Sequence, residues 1–213
     1  DMGNMDTKVS TFHAFCKEVC EDHLLESGIS TDSKLFKETS LQVWCMQNSD
    51  RFGIDPDIIG LGKDNAALFK GIVQAISNFK ESLITSAEFQ TWLDAKSNEI
   101  GKMSGDERVN NAELIEYVKY HIEFNKVYAK YEKFQKDNGV YDFDDLIKNA
   151  IDLLKNNSLV LNSYTQKYKY ILVDEFQDNN FGQYELVRLL GQNGNVMVVG
   201  DDNQLVMRFQ GAR

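Results

Sequence analysis

Two neighbouring acids, Asp174 and Glu175, follow the short apolar run Ile171-Leu172-Val173 and are the residues of this 213-residue chain best suited to do chemistry. One such carboxylate can hold a hard divalent cation such as Mg²⁺, which prefers oxygen donors and keeps several of its own waters. The other can orient or deprotonate a water that attacks a phosphoryl group. A second apolar run, Val196 to Val199, ends in Gly200-Asp201-Asp202, and Gln204 follows with an amide able to report on a bound phosphate by hydrogen bonding. A different use of the same acids is also open: Asp174, Glu175 and Asp201 could form the two-metal centre of a Mg²⁺-dependent nuclease.

These acids act together only if the two runs are neighbours. Between them Tyr184, Val187 and Leu190 recur every third residue before Gly191 and Gly194, which predicts a helix joining two buried strands. That βαβ crossover makes the strands parallel, with their carboxyl ends on one side of a sheet, where ligands of open α/β sheets bind. Val9-Ser10-Thr11-Phe12 reads as a third strand. In between, apolar residues recur at helical spacing, predicting helices over residues 12–27, 33–48, 64–78, 86–100, 111–137 and 143–156. The single proline, Pro56, leaves the later helices unbroken. The fold class expected is α/β, a partial parallel sheet interrupted by a large all-helical insertion. Residues 1–14 and 167–213 form the sheet-bearing pieces, and residues 15–166 the insertion.

Composition narrows the partners. Hydrophobic residues are 42% and charged residues 26%, an ordinary globular balance that excludes disordered or fibrous classes. With 23 basic and 33 acidic side chains the net charge is −10, so the whole surface cannot grip nucleic acid and any such contact must be local. No apolar run approaches the ~20 residues needed to cross a bilayer, the first residues do not resemble a secretory leader, and three cysteines at no framework spacing suit a reducing compartment. The expected location is cytoplasmic, with no membrane contact. His13, Cys16, Cys20 and His23 could share one helix face, but a straight helix cannot gather all four about one zinc, so they are read as packing residues. The stripe Lys119, Lys126, Lys130 and Lys133 is read as a solvated face, and Asp142, Asp144 and Asp145 as helix-start acids.

The acidic strand ends carry a resemblance. The string from Ile171 through Asp174-Glu175-Phe176-Gln177-Asp178-Asn179-Asn180 resembles the Walker B strand and second motif of UvrD/Rep/PcrA-type superfamily 1 DNA helicases. Val198-Val199-Gly200-Asp201-Asp202-Asn203-Gln204, with Arg208-Phe209-Gln210-Gly211-Ala212, resembles their third. Weaker matches stand in the expected order at Ser10 to Cys16, Ile76 to Lys80 and Tyr141 to Ile147. The resemblance implies a RecA-like sheet of the P-loop NTPase type and an ATP- and Mg²⁺-dependent helicase moving 3′ to 5′ on single-stranded or partly duplex DNA. It also implies DNA-repair proteins as partners. It casts Asp174 as the Mg²⁺ ligand, Glu175 as catalytic base and Gln204 as the γ-phosphate sensor, with Gln177 and Asp178 beside the nucleotide or coupling it to DNA. Thr11, Phe12, His13, Met207, Arg208 and Phe209 would line the DNA path, Phe209 as a base-stacking platform. Stacking tolerates any sequence and is worth ~1–3 kcal/mol per base.

Two departures qualify the expectation. A phosphate-cradling G-x-x-x-x-G-K-[ST] loop is missing, since Gly60-Leu61-Gly62-Lys63-Asp64 has the wrong spacing and reads as a loop opening a helix. Met207 stands where the family usually has Tyr, so it packs against a base without offering a π-face. The chain therefore reads as an interior part of a first motor domain, inactive by itself, whose uncovered sheet would self-associate. A non-enzymatic docking module built on the acidic insertion is the other rival.

Overall fold

The computed structural model describes residues 7–29, 32–62 and 64–201. In chain order its elements are α1 (Phe12–Asp22), α2 (Leu24–Ser27), β1 (Lys34–Leu35), α3 (Glu38–Gln47), α4 (Pro56–Ile59), α5 (Asn65–Glu81), α6 (Ser86–Gly101), α7 (Gly105–Asn110) and α8 (Ala112–Asn138). They continue with β2 (Val140–Tyr141), α9 (Phe143–Asn156), α10 (Ser158–Lys167), β3 (Ile171–Val173), α11 (Phe181–Leu190) and β4 (Val196–Val198), with short 3₁₀ turns at Ser49–Arg51 and Phe176–Asp178. The fold is mostly helical with two small parallel sheets, β1 with β2 and β3 with β4. The chain forms two compact units. One joins the described residues up to Ser33 to those from Phe143 onward, and the other is Lys34–Asp142.

The first unit carries the acidic strand ends. α9 places Leu146, Ile147, Ala150, Ile151 and Leu154 on one face at spacings of three and four, the pattern of a helix burying a single stripe. That helix contacts both α1, through Cys16, Val19 and Cys20, and α11. α11 begins with a capping box in which the Asn180 side chain accepts from the Gln183 N–H and the Gln183 side chain accepts from the Asn180 N–H. It returns the chain to β4 beside β3, in the register Ile171 with Val196 and Val173 with Val198. The crossover read from residues 184, 187 and 190 is therefore present.

The second unit has its own core. Phe69, Ile72, Val73 and Ile76 of α5, Phe89 and Leu93 of α6, and Val118, Phe124, Val127, Tyr128 and Tyr131 of α8 pack into one cluster with α3 and Phe52. α5 starts at Asp64, whose side chain accepts from the Ala67 N–H, just after Gly60 and Gly62, both with positive φ. The Gly60-Leu61-Gly62 segment thus opens a helix, as read.

Four expectations need correction. Residues 9–12 are not a strand: Val9 is 91% exposed, and Thr11 caps α1 by accepting from the Ala14 N–H. The helix expected over residues 12–27 breaks at His23, whose φ of −133° and ψ of 50° are not helical. The one expected over residues 33–48 starts only at Glu38, because Lys34 and Phe36 donate to the carbonyls of Gly139 and Tyr141 in a pairing more than a hundred residues distant in sequence. The strands expected to be buried are half-bare, with Leu172 73% and Met197 59% exposed, since α11 covers one side and no described residue covers the other. α10, capped by Asn157, was not anticipated.

Candidate functional site

The β3 and β4 ends meet as the parallel pairing requires. The Val199 N–H donates to the Val173 carbonyl, and the Phe176 N–H to the Val199 carbonyl, each at 2.8 Å, so the ladder runs past the strands into the acidic turn. Asp174 and Glu175 emerge there as exposed side chains, with no cation beside either among the described residues. Glu175 lies in the left-handed region at φ 48°, a costly conformation for a residue with a Cβ and one that concentrates at functional sites. Its N–H donates to Asp174 Oδ1 at 3.0 Å, and its carbonyl accepts from the Asp178 N–H at 2.9 Å. The strand therefore turns abruptly and presents two carboxylates in succession.

Gln177 joins the two strand ends. Its Nε2 donates to Glu175 Oε2 at 2.6 Å, while its Oε1 accepts from the Asp201 N–H at 3.1 Å. Asp178 is exposed at the end of the 3₁₀ turn. The structure thus gathers Asp174, Glu175, Gln177, Asp178 and the Asp201 backbone. Asp202, Gln204, Met207, Arg208 and Phe209 lie outside the described residues.

The remaining candidates stand at the start of α1. Thr11 is its N-cap, and Phe12 and His13 fill its first turn, both half-buried. Burial holds the His13 imidazole below its usual pKa. The His13 ring meets Phe143 edge-on at 6.0 Å, and Phe143 is 52% exposed at the head of α9. Phe143 was passed over in the sequence because its neighbours Asp142, Asp144 and Asp145 read as capping acids. An aromatic at the first position of a strongly amphipathic helix, off the buried stripe, was the available clue.

Oxygen chemistry suits the acidic turn. Mg²⁺ is commonly held by one or two carboxylates plus phosphate oxygens and water, which the pair Asp174 and Glu175 can supply. Among the described residues no group of three His, Cys, Asp or Glu side chains converges on a metal position, so neither a zinc site on α1 nor a three-carboxylate nuclease centre gains support. Cys16, Cys20 and Cys45 are buried, and burial pushes the Cys20 and Cys45 thiols up to about 12. They are inert packing residues.

Three lysines of the predicted stripe make contacts within the second unit. Lys126 donates to the Gly53 carbonyl and to Glu123, Lys130 to the Arg51 carbonyl, and Lys133 pairs with Asp137. Two of the weaker sequence strings converge instead on a buried ion pair. Lys80 Nζ is 2.6 Å from Asp142 Oδ2, which also accepts from Tyr131 Oη and Gln135 Nε2. Asp142 is thus the anchor of β2 and not a solvent-facing cap. No described helix is long and apolar enough to cross a membrane.

Comparison with known proteins fits this arrangement. The family model described as the UvrD/REP helicase N-terminal domain matches residues 3–213. The chain is 31% identical over 206 residues to the ATP-dependent DNA helicase Rep of Escherichia coli strain K12, covering 96% of this chain and 26% of that protein. It is 33% identical over 220 residues to a probable DNA helicase II homolog of Mycoplasma genitalium, covering 97% of this chain and 26% of the relative. A probable DNA helicase of Mycoplasma pneumoniae is 47% identical over 83 residues, 38% of this chain and 16% of that protein. The chain therefore spans about a quarter of the length of the first two of these relatives.

Proposed function

Because the chain belongs to the UvrD/REP helicase N-terminal domain family, we propose that the protein works as an ATP-dependent DNA helicase and that this chain supplies part of its first, RecA-like motor domain. The β3–β4 sheet belongs to that motor, and residues 15–166 are the helical insertion, of which the compact unit Lys34–Asp142 is a part. Movement is 3′ to 5′ on single-stranded or partly duplex DNA in the cytoplasm, with repair proteins as partners. The observation that carries the reading is the junction of the β3 and β4 ends, where two exposed carboxylates stand in succession and Gln177 ties one of them, Glu175, to the Asp201 N–H.

In this reading Asp174 would hold Mg²⁺, which when bound would supply positive charge for phosphoryl transfer. Glu175 takes the proton of the attacking water, Gln204 senses the γ-phosphate, and Gln177 and Asp178 link the nucleotide to the DNA side. Thr11, Phe12, His13, Met207, Arg208 and Phe209 line the strand. Phe143 adds an exposed ring beside His13, suited to stacking on a base. A net charge of −10 is compatible with this, because stacking and a narrow groove need only local basic contacts.

The test is DNA-stimulated ATP hydrolysis by the full-length protein. Glu175→Gln should leave ATP binding intact and lower kcat by roughly 10²- to 10⁴-fold, the usual worth of a positioned base. Asp174→Asn should abolish the dependence on Mg²⁺ concentration together with activity. Metal-dependent DNA cleavage without nucleotide, or hydrolysis indifferent to both changes, would overturn the reading.

A further inference from the structure

Gly200 sits where the β4 end passes over the acidic turn. A Cβ built on it would lie 2.5 Å from Gln177 Oε1, against 3.2 Å from the Gln177 backbone N and 3.4 Å from that of Phe176. Its φ is outside the left-handed range, so backbone freedom does not explain a glycine here. The space left by the missing side chain is the space the Gln177 carboxamide uses.

That carboxamide has a fixed sense. The Asp201 N–H can only donate, so it takes Oε1 and turns Nε2 toward the Glu175 carboxylate, which can only accept when ionised. Among the described residues no other side-chain hydrogen bond or ion pair holds the Glu175 carboxylate. We propose that Gln177 is the positioning residue for the Glu175 carboxylate, that it takes its position from the Asp201 peptide, and that Gly200 is glycine because any Cβ would displace the amide. A shift of the β4 end would then pass to the carboxylate through one side chain. The inference rests on reading Glu175 as the catalytic base.

The steric conflict falls mainly on the far end of a flexible side chain. Gly200→Ala should therefore break the bridge without unfolding the chain, and its unfolding temperature should stay close to that of the wild type. In the ¹⁵N-labelled chain the Gln177 Nε2 proton that faces Glu175 should lie downfield of its position in a free glutamine side chain, and both Glu175→Ala and Gly200→Ala should return it toward that position. In the full-length protein Gly200→Ala and Gln177→Ala should each lower kcat roughly 10- to 100-fold, the scale of a small misplacement of a reacting group, with the KM for ATP nearly unchanged.

The decisive measurement is the double variant. With Gln177 already truncated the added methyl no longer meets the carboxamide and keeps only the looser backbone contacts at 3.2 and 3.4 Å, so Gly200→Ala/Gln177→Ala should be little slower than Gln177→Ala alone. Losses that multiply, or wild-type kcat in Gly200→Ala, would overturn the proposal. A full-length protein without ATPase but with the Gln177 amide held as described would instead sink the helicase reading. A Gln177 amide already at free-glutamine shifts in the wild type would sink the bridge whatever the ATPase does.

Discussion

Glu185 shows how one side chain can staple the sheet-bearing unit. It is buried on α11, 2.9 Å from Lys155 of α9 and 2.7 Å from Arg188, and hydrogen bonds from Arg188 and then Lys155 hold its carboxyl down to about 2. A folded-state value below the ordinary one near 4.5 gives stability that is complete above that ordinary value and is lost as pH falls toward about 2. Glu185→Gln should therefore destabilise the chain at pH 7, with the gap to wild type closing between pH 4.5 and about 2, as read by urea unfolding across that range. Lys80 and Asp142 make the corresponding staple in the other unit, with Lys80 only 3% exposed. Lys80→Met should cost about 3–5 kcal/mol by leaving a buried carboxylate uncompensated, and adding Asp142→Asn should recover part of it. Equal losses in the single and double variants would show that the pair matters only for packing.

At the scale of elements, helices were legible where a stripe and a cap coincided. α5, α6, α8 and α9 start and end within about three residues of their expected bounds, because each buries residues at spacings of three and four and begins beside a side chain or glycine that stops the preceding turn. α10 escaped because only Val160 and Tyr164 are buried along it, too few to stand out from a loop. β1 and β2 escaped because two-residue strands exist only through each other. The capping box of α11 matters most for the candidate site, since it sets where the crossover leaves the acidic turn. Asn180→Ala should lower stability by about 1 kcal/mol, seen as a reduced denaturation midpoint at unchanged m-value. Asn180→Asp, which keeps the accepting oxygen, should cost much less.

For the whole molecule, the consequence of interest is the uncovered side of the β3–β4 sheet. Tyr170, Leu172, Met197 and Val199 are exposed and alternate onto one face, a row of apolar side chains beside a strand edge of the kind that invites association. The isolated chain should therefore self-associate at high concentration, and Leu172→Lys should shift it toward monomer without lowering its unfolding temperature. Light scattering that finds wild type and variant equally monomeric would remove this expectation. The sheet-bearing unit also shows why grouping was hard to read along the chain. α1 and α9 pack together although more than a hundred residues separate them, and the unit Lys34–Asp142 lies between them in sequence.

The sequence alone determined the acidic strand ends, the crossover that aligns them and the helical character of the rest, because these depend on local spacing, on turn residues and on the handedness of a βαβ connection. It also carried the family, through ordered strings of residues that need no coordinates to compare. Only the tertiary structure decided that Gln177 bridges Glu175 to Asp201, that Gly200 makes room for it, that Phe143 stands beside His13, and that Asp142 is spent on Lys80. Each of these is a contact between groups set at angles and distances that periodicity does not encode. A hydrogen bond or a steric exclusion is fixed by tenths of an ångström, and those are settled only when the packed elements bring the backbones together.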